Sequence, residues 1–96
     1  MTLTITTDPS FSETEVGETV AYAFHNGAAL AKLQRDHFHQ LCAEFESKYG
    51  MPSDDFWSRF ESGQLGDAAD YFDWYAAKRG LDLWEKRYRI LSEARL

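Results

Sequence analysis

From Ser12 to Tyr49 the apolar residues recur at helical spacing. Val16, Val20, Ala23, Phe24, Ala31, Phe38, Leu41, Phe45 and Tyr49 share one helical face, and Phe24, Ala31, Phe38 and Phe45 keep a seven-residue period. Ser12 with Glu15 three positions on reads as a capping box, and Phe11 and Val16 take the two positions of a hydrophobic staple. The stripe stops at Tyr49-Gly50, with Gly50 placed for a left-handed cap and Pro52 just beyond. This spacing predicts a helix over 13–49. Asn26-Gly27 interrupts it with a turn dipeptide, and glycine inside a helix costs about 1 kcal/mol relative to alanine. The apolar phase is the same on both sides, which favours one continuous helix over a break at 26–27. Such a helix is ~55 Å long at about 1.5 Å per residue, whereas a compact domain of this length has a radius of gyration of only ~12–13 Å. The chain therefore either breaks near 26–27 or is elongated.

A short helix over 54–62 is predicted next. Ser53 is its expected cap, Asp54 and Asp55 sit in the first turn, Phe56, Trp57 and Phe60 form the apolar face, and Gly63 closes it. Gln64-Leu65-Gly66 reads as a tight connection with Leu65 tucked into the core. A third helix over 68–94 has Asp67 as its expected cap, Asp70 and Asp73 early, and Lys86, Arg87, Arg89 and Arg95 late, as the helix dipole prefers. Trp74, Ala77, Leu81, Trp84, Tyr88 and Leu91 form one apolar stripe, and Phe72, Ala76, Leu83 and Ile90 a second on the opposite side. A helix apolar on two sides is expected to be sandwiched. Gly80, in mid-helix, permits a neighbour to approach closely. In the arm 1–10, Thr2-Leu3-Thr4-Ile5-Thr6 alternates strictly and predicts a short strand ended by Asp8-Pro9, with no second strand in the chain to pair with. The expected fold is a single all-α domain over 1–96: long helix, short helix, long helix, as a helical hairpin or bundle with a short N-terminal strand.

Composition narrows the function. Of the 96 residues 44% are hydrophobic and 27% charged, a globular balance. Sixteen acids against ten bases give a net charge of -6, which disfavours nucleic acid or an anionic membrane as partner. Six basic residues against three acids between Lys78 and Arg95 are scattered around the helix and read as a solvated face. A single cysteine, Cys42, excludes an intrachain disulfide and suits a reducing cytoplasm. No apolar run approaches a membrane span, and Met1 to Pro9 lacks the basic end and apolar stretch of a signal peptide. Among His25, His37, His39, Cys42 and Glu44, His37 and His39 lie two apart and point in different directions on a helix, so no metal site is expected. Cys42 sits near the Phe38 side of the stripe and reads as a small buried hydrophobe. Gly63-Gln64-Leu65-Gly66 lacks the Lys-Ser/Thr ending of a phosphate loop, and the grouped carboxylates Asp54-Asp55 and Asp67, Asp70, Asp73 are accounted for by helix starts. No catalytic residues and no cofactor are expected.

The most distinctive segment carries Phe56, Phe60-Glu61, Gly63, Leu65-Gly66-Asp67, Asp70, Phe72 and Trp74. It resembles the pattern F-x3-F-E-x-G-x-L-G-D-x2-D-x-F-x-W of small helical archaeal and bacterial proteins that look like the antitoxin side of toxin–antitoxin-type gene pairs. The resemblance covers about residues 30 to 92. It implies a long leading helix, a charged closing helix, and a non-enzymatic protein that binds and neutralises a partner toxin. The same residues also read structurally, as two helix ends, a corner anchored by Leu65, and Trp74 packed beneath it. The alternative is a structural homodimer with no toxin partner. The strand-then-helix start also resembles ribbon-helix-helix repressors, but the outward threonines and the four acids without a base from Met1 to Glu18 argue against DNA reading. Self-association is expected as a homodimer, with Phe24, Ala31 and Phe38, or Phe72, Leu83 and Ile90, as the partner or dimer interface.

Overall fold

The computed structural model describes residues 3–95 and contains three helices: α1, Glu13–Tyr49; α2, Ser53–Glu61; and α3, Ala69–Glu93. The long–short–long order and the bounds of α1 agree with the periodicity; α2 and α3 differ from it by one residue at each end.

The start of α1 follows from its sequence. The Ser12 hydroxyl accepts the Glu15 N–H at 3.1 Å, and the Glu15 carboxylate accepts the Ser12 N–H at 2.9 Å, so two helix-end donors are satisfied reciprocally. At the other end Gly50 takes φ 61°, the left-handed geometry that glycine adopts without steric cost. The helix runs unbroken through Asn26-Gly27. Gly27 has a packing role: a Cβ there would lie 3.2 Å from Leu91 Cδ1 on α3. At Gly80 the approach is closer still, since a Cβ would lie 2.7 Å from the Phe38 ring. These two glycines let the long helices meet along an antiparallel hairpin.

The strand expected at Thr2–Thr6 is a correction. Thr2 lies outside the described residues; residues 3–8 are irregular, and there is no strand among the described residues. A strand needs a ladder partner for its backbone groups, and alternation alone does not provide one. The two predicted caps are also corrected. Ser53 is the first residue of α2, and Pro52, which has no side chain to offer, is its N-cap. α3 starts from Ala68 without a side-chain cap, and Asp67 is exposed beside it. The last turn of α3 contains no basic residue, so the late cations stop at Arg89 and resume only at Arg95.

The core lies at the closed end, where all three helices meet. Phe56 and Trp74 are fully buried and stack at 4.0 Å, and Phe45 and Tyr49 stack on Trp74 at 5.7 Å each. Cys42 and Ala77 complete the buried cluster. Toward the other end the contact between α1 and α3 narrows to small residues, with Ala28 and Ala31 buried. The result is a rod of 59 × 25 × 19 Å with a radius of gyration of 18.9 Å, which settles the sequence alternative in favour of elongation. No described helix is long and apolar enough to cross a membrane.

Candidate functional site

The closed end contains a buried polar node. Trp74 Nε1–H donates to Ser53 Oγ at 2.9 Å, and the Ser53 N–H donates to Glu46 Oε2 at 2.8 Å. Glu46, on α1, therefore caps α2 from outside, which is why α2 does not need Ser53 as its own cap. Beside this node Lys78 is ion-paired with Asp54 at 3.0 Å and Asp82 at 2.9 Å, tying α3 to α2. Burial pushes the Cys42 thiol above its ordinary value, the opposite of what a nucleophile needs. On the adjoining surface Asp70 accepts hydrogen bonds from Lys48 and, at 2.6 Å, from the Tyr49 hydroxyl. Those bonds hold the Asp70 carboxyl below the usual carboxylate range. The chemistry of this end is structural: it locks three helices together.

His25, His37 and His39 are all exposed. Among the described residues no three or more His, Cys, Asp and Glu side chains converge in a way that could hold a metal ion.

The six residues expected at an interface separate into two groups. Ala31 is 1% exposed, Phe38 packs over Gly80, and Phe24 lines a groove with Leu91, so the α1 stripe faces α3 of the same chain. Phe72, Leu83 and Ile90 are 56%, 44% and 60% exposed and lie with Ala76 on one outer face of α3, interspersed with the exposed Arg79 and Lys86. Phe72 meets α2 edge-on at Phe60, with ring centroids 5.5 Å apart. The motif residues are placed as anchors. Phe56 and Trp74 form the centre of the core, Phe60 and Leu65 its rim, and Gly63 turns the chain at φ 74°, with Gly66 and Asp67 exposed. Leu65 is only partly buried, less than a tucked corner residue would be.

Sequence reasoning missed two features. Glu46 and Ser53 join α1 to α2 and α3 through tertiary contacts that have no local signature. At the open end a groove of about 520 Å³ runs between α1 and α3, with Ala21, Phe24, Ala28 and Leu91 along it and His25, Lys32 and Arg95 at its edge. The alanine spacing on α1 was a visible signal for a close approach; the groove itself depends on where α3 ends.

The chain was compared with protein families, curated proteins and solved structures, and none of them matches it.

Proposed function

We propose that the protein is a non-enzymatic interaction module, antitoxin-like, that binds and masks a partner protein through the outer face of α3. The observation that carries this reading is the stripe Phe72, Leu83 and Ile90, half-exposed along a helix whose other side is already buried against its own core. Several large apolar side chains exposed on one helix face are what a protein partner covers. The motif resemblance points the same way. Co-expression with the product of the neighbouring gene tests it, scoring growth rescue and co-purification. Leu83→Asp and Ile90→Asp are expected to abolish both, because each buries a carboxylate without a partner. Co-purification unaffected by either substitution would reject the stripe as the surface.

A structural homodimer using the same stripe is the second reading, favoured by the same exposed row. Leu83→Asp would then convert a dimer into a monomer of 11.1 kDa, whether or not a neighbouring gene product is present.

A further inference from the structure

The outer face of α3 carries more than its apolar residues. Phe72, Ala76, Arg79, Leu83, Lys86 and Ile90 follow one another at spacings of four, three, four, three and four, the seam of a heptad repeat. All six are exposed in the single chain, and the seam runs ~27 Å along the helix at about 1.5 Å per residue. It has two rows. Ala76, Leu83 and Ile90 make one, and Phe72, Arg79 and Lys86 the other, so two cations lie among the apolar side chains rather than at their border. Neither cation is ion-paired among the described residues, whereas the nearby acids Asp82 and Glu93 are engaged with Lys78 and Arg89. The flanks of the seam balance, with Asp73 and Arg87 on one side and Asp82 and Arg89 on the other. The seam itself is cationic, on a chain whose net charge is -6.

We propose that this seam receives a helix of a different protein, one with aliphatic residues along its own seam and two carboxylates, seven residues apart, that pair with Arg79 and Lys86. The inference rests on the outer face of α3 being the docking surface and adds the chemistry of what docks there. Covering the seam takes both cations out of water, which is costly unless each meets an opposite charge. A second copy of the chain supplies none. In a parallel pair Arg79 would face Arg79 and Lys86 would face Lys86. In an antiparallel pair the two rows exchange partners, and the cations would face the row of Ala76, Leu83 and Ile90. An anionic membrane fits no better, because a helix lying on a bilayer gathers its cations on the polar face, away from the residues that insert. A partner helix with acids at the facing positions satisfies both cations and takes its register from their seven-residue spacing. The same charges tell it apart from further copies of this chain.

Two synthetic three-heptad helical peptides test the proposal. Both carry leucine along the seam except at two positions seven residues apart, which hold glutamate in one peptide and lysine in the other. Binding to the full chain is read by fluorescence anisotropy. The glutamate peptide is expected to bind about tenfold or more tighter than the lysine peptide. Arg79→Glu with Lys86→Glu is expected to reverse that preference, and misfolding cannot produce a reversal. Leu83→Asp is expected to weaken both peptides. In sedimentation equilibrium at micromolar concentration the wild-type chain is expected to be monomeric. Arg79→Leu with Lys86→Leu, which makes the seam apolar from Phe72 to Ile90, is expected to self-associate. Equal binding of the two peptides, lost with Leu83→Asp, rejects the acidic partner but keeps the docking face. Binding of neither peptide, or binding indifferent to Leu83→Asp, rejects the docking face and the proposal with it. A wild-type dimer that Leu83→Asp dissociates overturns the proposal and assigns the seam to a second copy. Phosphatidylserine vesicles that co-sediment with the wild-type chain, but not with the Arg79→Glu, Lys86→Glu variant, overturn it in favour of a membrane.

Discussion

Trp74 shows how one side chain can set the terms for its neighbours. A fully buried indole removes about 150–250 Å² from water, but its N–H must then find an acceptor inside the protein. Ser53 Oγ is that acceptor, and the Ser53 N–H in turn goes to Glu46. Ser53→Ala leaves the indole donor buried and unpaired, so a loss of about 1–3 kcal/mol is expected in urea unfolding. Asp70 gives a prediction in pH. Its carboxyl lies below the ordinary value of 3.8 because Lys48 and Tyr49 donate to it. A carboxyl depressed on folding stabilises the native state fully above its unfolded pKa, and that contribution is lost as pH falls through the lower folded value. Asp70→Asn is therefore expected to lower stability at neutral pH and to flatten the fall below pH 3.8, as followed by thermal unfolding across an acid series. Leu65→Ala is expected to cost less than the roughly 2–5 kcal/mol of a buried leucine, because Leu65 is only partly covered.

The helices differ in how much of their making is local. α1 carries its own start, stop and buried face in its sequence: the capping box at Ser12, the left-handed Gly50 and the period through Phe38 are all realised. Ser12→Ala is expected to cost roughly 0.5–2 kcal/mol by denaturant titration. The one-residue shift in reading the α1–α2 corner has a physical cause. The α2 end is satisfied by Glu46, seven residues upstream, and a local rule that looks for a cap at Ser53 has no access to that contact. The same holds for the strand, since alternation at Leu3 and Ile5 describes a face that has nothing to pair with. The outer stripe of α3 was legible as a pattern, while its exposure required knowing that α2 is too short to cover it. The two helical glycines separate under substitution. Alanine gains about 1 kcal/mol of helix propensity at either position. At Gly27 the added methyl meets one flexible Leu91 methyl at 3.2 Å, so Gly27→Ala is expected to be neutral or stabilising. At Gly80 three atoms of the Phe38 ring lie within 2.8 Å and the whole ring must move, at about 1–3 kcal/mol, so Gly80→Ala is expected to lower the melting temperature.

Across the whole molecule, burial is graded along the rod. Aromatic stacking concentrates at the end where three helices meet, and toward the opposite end two helices meet at Ala28, Ala31 and Gly27 against Leu91, beyond which the first turns of α1 have only the N-terminal arm along them among the described residues. Local opening costs least where few apolar contacts must be broken. Amide exchange is therefore expected to be faster over 13–20 than over 42–49 and 74–81. The elongation itself has a consequence for weighing the particle. Compact domains obey a radius of gyration of about 2.2 times the 0.38 power of their length, so 18.9 Å corresponds to a compact domain of about 290 residues, roughly three times this chain. A gel-filtration column calibrated with globular standards would report the solitary protein as an oligomer, because friction follows the long axis rather than the mass.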